Sequence, residues 1–497
     1  MALSRRQLLA RSSAAGVGLA VAGSVPMLAS PALASTRPST AGRTAGPRPF
    51  PPLVDDPAGR LALPAGFRYH VLRAAGVDDL LDGAGKSPGS PDGMASFVRR
   101  GARYLITNHE LEPKETAYGV PHVAGTVYDA GAPDAGGCTV TGLDRGGHAW
   151  GQWVGISGTV NNCAGGATPW GTWLTCEQDT VRAGDSWEGD EVTGSGTYEK
   201  DHGFVFEVVP GGPASQDPTP IKAFGRFAHE AVVVEPSRRR VYLTEDASKP
   251  NGLFYRWSAP DGVTLSRGVA AHLRASSGRL EAMQVRLDDG SVLPDLSYIT
   301  SAQLGRPFDV RWVDVPDRLA KDTPTREQLL PGTDVTASKK LEGLWGDERG
   351  VYVVASYAYA EADLPADATK HNGQVWFYDY RAQTLTLVTY FPHQASTEAA
   401  DPAVRYTDLS FDGPDNVTVT PWGSLILAED GVGASHVLSA TPGGPTYAVA
   451  RNQIEVDGEF SEFCGPHFSP DGTHLFVNIQ GPGLTVAIAG PWSRYLG

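Results

Sequence analysis

The chemistry in this 497-residue chain gathers at the ends of short apolar runs. Six such runs finish in polar, mostly acidic residues: YLITNHE (104–110), WLTCE (173–177), VYLTED (241–246), VYVVAS (351–356), LILAED (425–430) and LFVNIQ (475–480). A second set lies upstream of five of them. Cys163 precedes Glu177 by 14 residues, Glu230 precedes Glu245 by 15 and Glu342 precedes Ser356 by 14. Asn416 precedes Glu429 by 13, and Cys464 precedes Gln480 by 16. If both sets converge, Glu110, Glu177, Glu230, Glu245, Glu342, Glu429 and Asp430 are too many to share protons, and cations must relieve the crowding. Hard oxygen ligands in that number suit calcium, which takes about 6–8 oxygens. Cys163, inside TVNNCAGGATPWGTWLTCEQD, adds a softer donor that points to a transition metal, iron or zinc. The other readings of Cys163 are a buried free thiol or a disulfide with Cys138, Cys176 or Cys464, which an exported chain permits.

Other motifs are missing or weak. The sequence has no CxxC or HExxH metal motif and no Walker loop. His109 and His229 each stand beside an acid, where they could serve as outer metal partners or as general acids; a lone histidine in a strand is more often structural. The tryptophans of TPWGTW, GLWG and TPWGS read as packing at turns.

The elements that must position these residues are short strands. Turn chemistry (TPWGT, EPSRRR, GDERG, TPWGS, SPDGT) introduces several runs, and strands beginning near glycine follow: HGFVFEV, NGLFYRW and NGQVWFYDY. Run ends are 67, 69, 110, 74 and 50 residues apart, too irregular for a strict-repeat family but suited to a propeller with long insertions. Six repeats predict an all-β, six-bladed β-propeller with a central metal-binding channel, and hairpins of this length can bring both sets of side chains to that channel. The stretch 210–220 reads as a loop, and 316–341 as a helix or structured excursion. The propeller is expected as a single domain over 53–497.

The N-terminus has a basic start, an apolar middle and an Ala32-Leu33-Ala34 end, the anatomy of an export signal over 1–34. Arg5-Arg6 in SRRQLLA makes it a twin-arginine signal, a route that carries folded proteins. Residues 35–52, rich in Ser, Thr, Pro and Gly, read as a flexible lead-in. No other segment reaches the ~18 apolar residues of a membrane span. Net charge is −15, and removal of Arg5, Arg6 and Arg11 with the leader takes it to −18. Such a surface repels nucleic acid. Glycine at 59 and proline at 38 fit many strands joined by tight turns.

NNCAGGATPWGTWLTCEQD, FGRFAHEAVVVEP, VYLTEDAS, GLFYRW, EGLWG, LILAEDG and FSPDGTHLFVNIQGPG together resemble the PhoX-type alkaline phosphatases, from about Phe67 to Trp492. The resemblance implies a twin-arginine exported six-bladed propeller that hydrolyses phosphate monoesters with a central cluster of calcium and iron (Ca2+ and Fe3+). A thiolate in the NCAGG position binds iron in that family, which favours Cys163 as a ligand, joined by Glu230 and Glu342. Glu177 and Asp430 would follow on the calcium side; Glu429, Glu245 and Glu110 are expected as ligands from the convergence of the runs alone. Two positions depart from the family pattern: Gln178 stands where a second glutamate often follows LTCE, and Lys340 where an arginine is usual. Lys340 would then orient the phosphoryl group as a point charge rather than a bidentate fork. Small phosphorylated substrates and the twin-arginine machinery are the expected partners, and a monomer the expected state. The alternatives are a non-catalytic calcium-stabilised binding propeller and a calcium-dependent lactonase-like hydrolase.

Overall fold

The computed structural model describes residues 48–497 apart from 82, 116–117, 190–193, 331–333, 358–372, 393–407, 409–410 and 432. The leader at 1–34 and most of the lead-in at 35–52 lie outside them. Each of the six apolar runs is the second strand of an antiparallel blade. These strands are Ala102–His109, Trp173–Glu177, Arg240–Glu245, Gly350–Ala355, Leu425–Glu429 and His474–Ile479. Each pairs with an inner strand just before it in the chain: Pro91–Arg99, Asn162–Ala167, His229–Val234, Leu341–Gly346, Pro414–Val419 and Phe463–Phe468. Numbered in that order, blades 1 to 6 pack inner strand against inner strand around a closed ring, with blade 6 returning onto blade 1. Alternation along the second strands turns Val, Leu and Ile toward the neighbouring blade on both sheet faces, and the blade seams form the core.

Closure comes from the N-terminal end of the chain. Strand Arg68–Ala74 pairs with Leu484–Ala489 and supplies the outer strand of blade 6. Leu61–Pro64 likewise adds to Thr446–Asn452 at the edge of blade 5. A ring clasped by both ends of its chain has no open inner edge. Strand Pro307–Asp314 pairs with both Arg279–Arg286 of blade 3 and Thr384–Phe391 of blade 4, fusing those blades into one sheet at the rim. Within 316–341 the structure holds a short 3-10 turn, Arg326–Gln328, rather than a long helix. The tryptophans of the turn motifs act as packing: Trp170 donates to Glu207, Trp345 lies against His467 and Trp422 against Phe468.

Candidate metal centre

One backbone device recurs in all six blades. The residue that follows or ends each second strand donates its N–H to the carbonyl of the residue leading into the inner strand. These bonds run Glu110 to Ser90, Gln178 to Asn161, Asp246 to Ala228, Ser356 to Lys340, Asp430 to Gly413 and Gln480 to Glu462. Four of the lead-in residues, Ser90, Asn161, Lys340 and Gly413, have left-handed backbone, with φ from 39° to 51°. Every inner strand then slips register close to its start. A bulge re-aims one side chain per strand and leaves it outside the ladder. The residues it releases in the first five blades are Asp92, Cys163, Glu230, Glu342 and Asp415; the sixth blade has Gly465 and Pro466 there. Gly465, at φ 57°, lies so close to blade 1 that a Cβ would meet the Asp92 carbonyl oxygen at 2.4 Å.

The bulged and strand-end side chains meet in three groups. Asp92, Glu110 and Cys163 form one, Glu230, Asp246 and Glu342 the second, and Asp415, Asp430 and Glu462 the third; within each, one donor atom per residue lies within 4.8 Å of the others. Cys163 is fully buried and its Sγ lies 3.1 Å from Glu230 Oε1, which ties the first group to the second. Asn108 fixes the cysteine's backbone, donating from Nδ2 to the carbonyls of Cys163 (2.9 Å) and Ala164 (2.8 Å). Lys340 Nζ stands 3.0 Å from Asp246 and 3.3 Å from Glu342. Ser356 donates to Glu342 at 2.7 Å. Gln178 and Gln480 each donate to two acids, Gln178 to Glu230 (3.0 Å) and Asp246 (2.8 Å), Gln480 to Asp92 (2.9 Å) and Glu110 (2.8 Å).

Of the residues expected from sequence, Cys163, Glu230, Glu342, Glu110, Asp430 and Lys340 are brought together here. Glu177, Glu245 and Glu429 are not. Each is the last residue of its second strand, one position short of the residue that meets the groups, and side chains on a strand alternate. Glu177 is saturated by the protein: His202 Nδ1 at 2.6 Å and the N–H groups of Gly203, Phe204 and Val160 at 2.8, 2.9 and 3.1 Å. Glu245 receives Tyr255 at 2.7 Å and Arg326 at 2.9 Å. Glu429 receives His436 Nδ1 at 2.8 Å and the N–H groups of His436 and Asp412, both at 2.9 Å. Burial alone would lower the imidazole of His202, but Glu177 and Asp129 on its two nitrogens hold it above its ordinary value. His436 follows the same rule: burial opposes its charge, yet Asp408 and Glu429 push it up to about 9. Burial pushes the Glu429 carboxyl up as well; with Arg451 also on Asp408, the pair's proton belongs on His436.

Asp92, Asp246, Asp415 and Glu462 are the members that sequence reasoning missed. Pro91-Asp92-Gly93 and Pro414-Asp415-Asn416 open their inner strands alike, and that shared Pro-Asp was the available signal. Asn416 sits beside the acid group, accepting from Gly465 N at 2.5 Å and donating to Asp415 at 2.9 Å. His109 and His229 are structural. His109 bonds Gly89 O and Thr139 Oγ1, His229 lies against Phe227, and burial lowers both rings, to about 4 and about 3. None of the four cysteines forms a disulfide, which removes the disulfide reading of Cys163. Burial pushes the thiol of Cys138 up to about 12 and that of Cys464 well above its usual value.

The three groups hold eight carboxylates and one thiol, with Lys340 against the second group, and a donor set of that charge and softness fits several hard cations plus one softer ion. Among known proteins, the family described as Alkaline phosphatase PhoX matches residues 48–152 and 147–483. No curated protein sequence matches the chain. Pseudomonas fluorescens PhoX in complex with vanadate, a transition state analogue, superposes with a TM-score of 0.61 at 18% identity, over 90% of this chain and 98% of that one. A streptogramin B lyase structure matches at a TM-score of 0.36 and 9% identity, over 85% of this chain and 97% of that one. The pyranose dehydrogenase PQQ domain from Coprinopsis cinerea matches at 0.38 and 11%, over 86% and 97%. The six-bladed ring with its axial acids and the family match across most of the chain agree, and this chain belongs to the PhoX alkaline phosphatase family.

Proposed function

We propose that the axial groups bind a cluster of calcium and iron and hydrolyse small phosphate monoesters outside the cytoplasmic membrane. The observation that carries the reading is the gathering of eight carboxylates and the Cys163 thiol, drawn from all six blades, into three close groups, one of them against Lys340. Glu230, Asp246 and Glu342 would hold calcium with Asp415, Asp430 and Glu462, while Cys163, beside Asp92 and Glu110, would be the iron ligand. When bound, such cations neutralise charge on a transferring phosphoryl group and activate an oxygen nucleophile. Lys340, anchored by Asp246 and Glu342, would place one positive charge against the phosphoryl oxygens.

Export would follow the twin-arginine leader at 1–34, with the propeller over 53–497 as the working domain and a monomer as its state. Among the described residues no helix is long and apolar enough to cross a membrane. The experiment is hydrolysis of p-nitrophenyl phosphate and of a simple lactone by the exported protein, with and without chelator, beside its metal content. Chelator-sensitive phosphatase activity with both metals present is expected. Lactone turnover without phosphatase activity would overturn the reading in favour of a lactonase, and tightly held metal with no turnover in favour of a binding propeller.

A further inference from the structure

Gln178 and Gln480 occupy the same place in blades 2 and 6, and each does the same thing to the blade that follows. Gln178 reaches the acid pair of blade 3, Glu230 and Asp246, and Gln480 the acid pair of blade 1, Asp92 and Glu110. A carboxamide carries two N–H donors, and here each donor serves a different carboxylate. Asn161 Nδ2 donates to Gln178 Oε1 at 3.0 Å, which orients that amide with its NH2 toward the acids. The other strand-end positions carry Glu110, Asp246, Ser356 and Asp430, so only blades 2 and 6 present a neutral side chain long enough to span a neighbour's pair.

We infer that Gln178 and Gln480 are positioning residues, each clasping one oxygen of both acids in the next blade's pair and thereby fixing how that pair meets a cation. The inference rests on the proposed metal centre. An oxygen engaged by a donor N–H is less available to an ion, so each clasped acid favours one-oxygen coordination and a set direction. The amide is also neutral. It relieves the repulsion between two carboxylates without adding a third charge, whereas a glutamate there would remove both donors and add one.

Two near-isosteric variants of Gln178, whose acid pair belongs to the calcium set, separate this role from packing. Gln178→Met fills the same space with no donor; Gln178→Glu fills it with a carboxylate. The measurement is the free-calcium concentration at which the full-length holoprotein releases half of the calcium that responds to a competing chelator, with the melting temperature in saturating calcium beside it. Outer partners of metal ligands are worth about 10- to 100-fold in affinity. Gln178→Met should therefore release its calcium at about tenfold higher free calcium, and Gln178→Glu, which adds a ligand charge, should shift release the opposite way. A packing role would lower the melting temperature of both variants and leave release unchanged. Wild-type release by both, or a shift in the same direction by both, overturns the inference. Wild-type protein that holds no calcium would instead bring down the metal centre on which it rests.

Discussion

Replacing Glu177 by alanine should cost stability and leave the metal centre in place. Glu177 lies fully buried at the end of its strand and accepts four hydrogen bonds, one from His202 and three from backbone N–H groups. Removing it leaves a buried imidazole with only Asp129 on its far nitrogen, together with three backbone donors to be met by water or by nothing. Breaking one side of a buried ion pair typically costs about 3–5 kcal/mol, and the stranded N–H groups keep the loss in that range even if water enters the gap. Against a stability of about 5–15 kcal/mol that is a large fraction. The assay is urea unfolding followed by tryptophan fluorescence at fixed calcium, with elemental analysis of the folded protein. Glu177→Ala should unfold at clearly lower urea and carry wild-type metal per molecule. Glu230→Gln, three of whose close neighbours are Cys163, Asp246 and Glu342, should do the reverse: lose metal and turnover together. A Glu177→Ala protein of wild-type stability that had lost metal would refute the division between wall and centre.

Cys163 should resist alkylation in the holoprotein and react once chelator has stripped the metal, and Cys163→Ser should bleach the visible absorption of a ferric thiolate while calcium is largely kept; a colourless wild-type protein would remove the iron. Lys340→Ala should lower kcat/KM for p-nitrophenyl phosphate by about 10²-fold or more, with Lys340→Arg recovering most of it, and unchanged kinetics in the alanine variant would take Lys340 out of the reaction. His436, held near 9 against about 6.5 when unfolded, supports folding fully below pH ~6.5 and loses that support as pH rises through about 9. The loss should amount to roughly 3 kcal/mol, read as a falling urea midpoint in saturating calcium. His436→Asn should flatten the fall, and equal slopes in the two proteins would refute the assignment.

The blade count was legible because each second strand is a run of β-branched and apolar residues closed by a polar end, and all six runs became second strands. The ligands were legible only to within one residue. VYLTED and LILAED carry acids at both of their last positions, and WLTCEQ offers a carboxylate and then an amide. The apolar run does not by itself say which of its two end residues faces the side chains that the inner strand's bulge releases, since the bulge lies on the partner strand. Asp92 escaped notice for another reason: the strands of blade 1 have 9 and 8 residues, which puts it 18 residues before Glu110, outside the 13–16 of the other blades. Glu462 precedes its inner strand altogether, and strands Arg68–Ala74 and Pro307–Asp314 find their partners far away in the chain, where no local pattern announces them.

The adjacent carboxylates at the strand ends solve opposite electrostatic problems. Glu177, Glu245 and Glu429 face cations that the fold itself supplies, His202, Arg326 and His436, so each has a partner before any ion arrives. The residues one step further on, Asp246 and Asp430, join the axial groups, where Lys340 is far too little to balance eight carboxylates. Carboxylates engaged that way do not compete for ions. Chelation should therefore destabilise the ring from its axis, where charge is left unbalanced, while the seams held by His202 and His436 persist; hydrogen exchange should quicken first at Cys163, Glu230 and Asp415, and later at Phe204 and Val437. Simultaneous exchange at axis and seam would mean that the two sets of carboxylates are not independent.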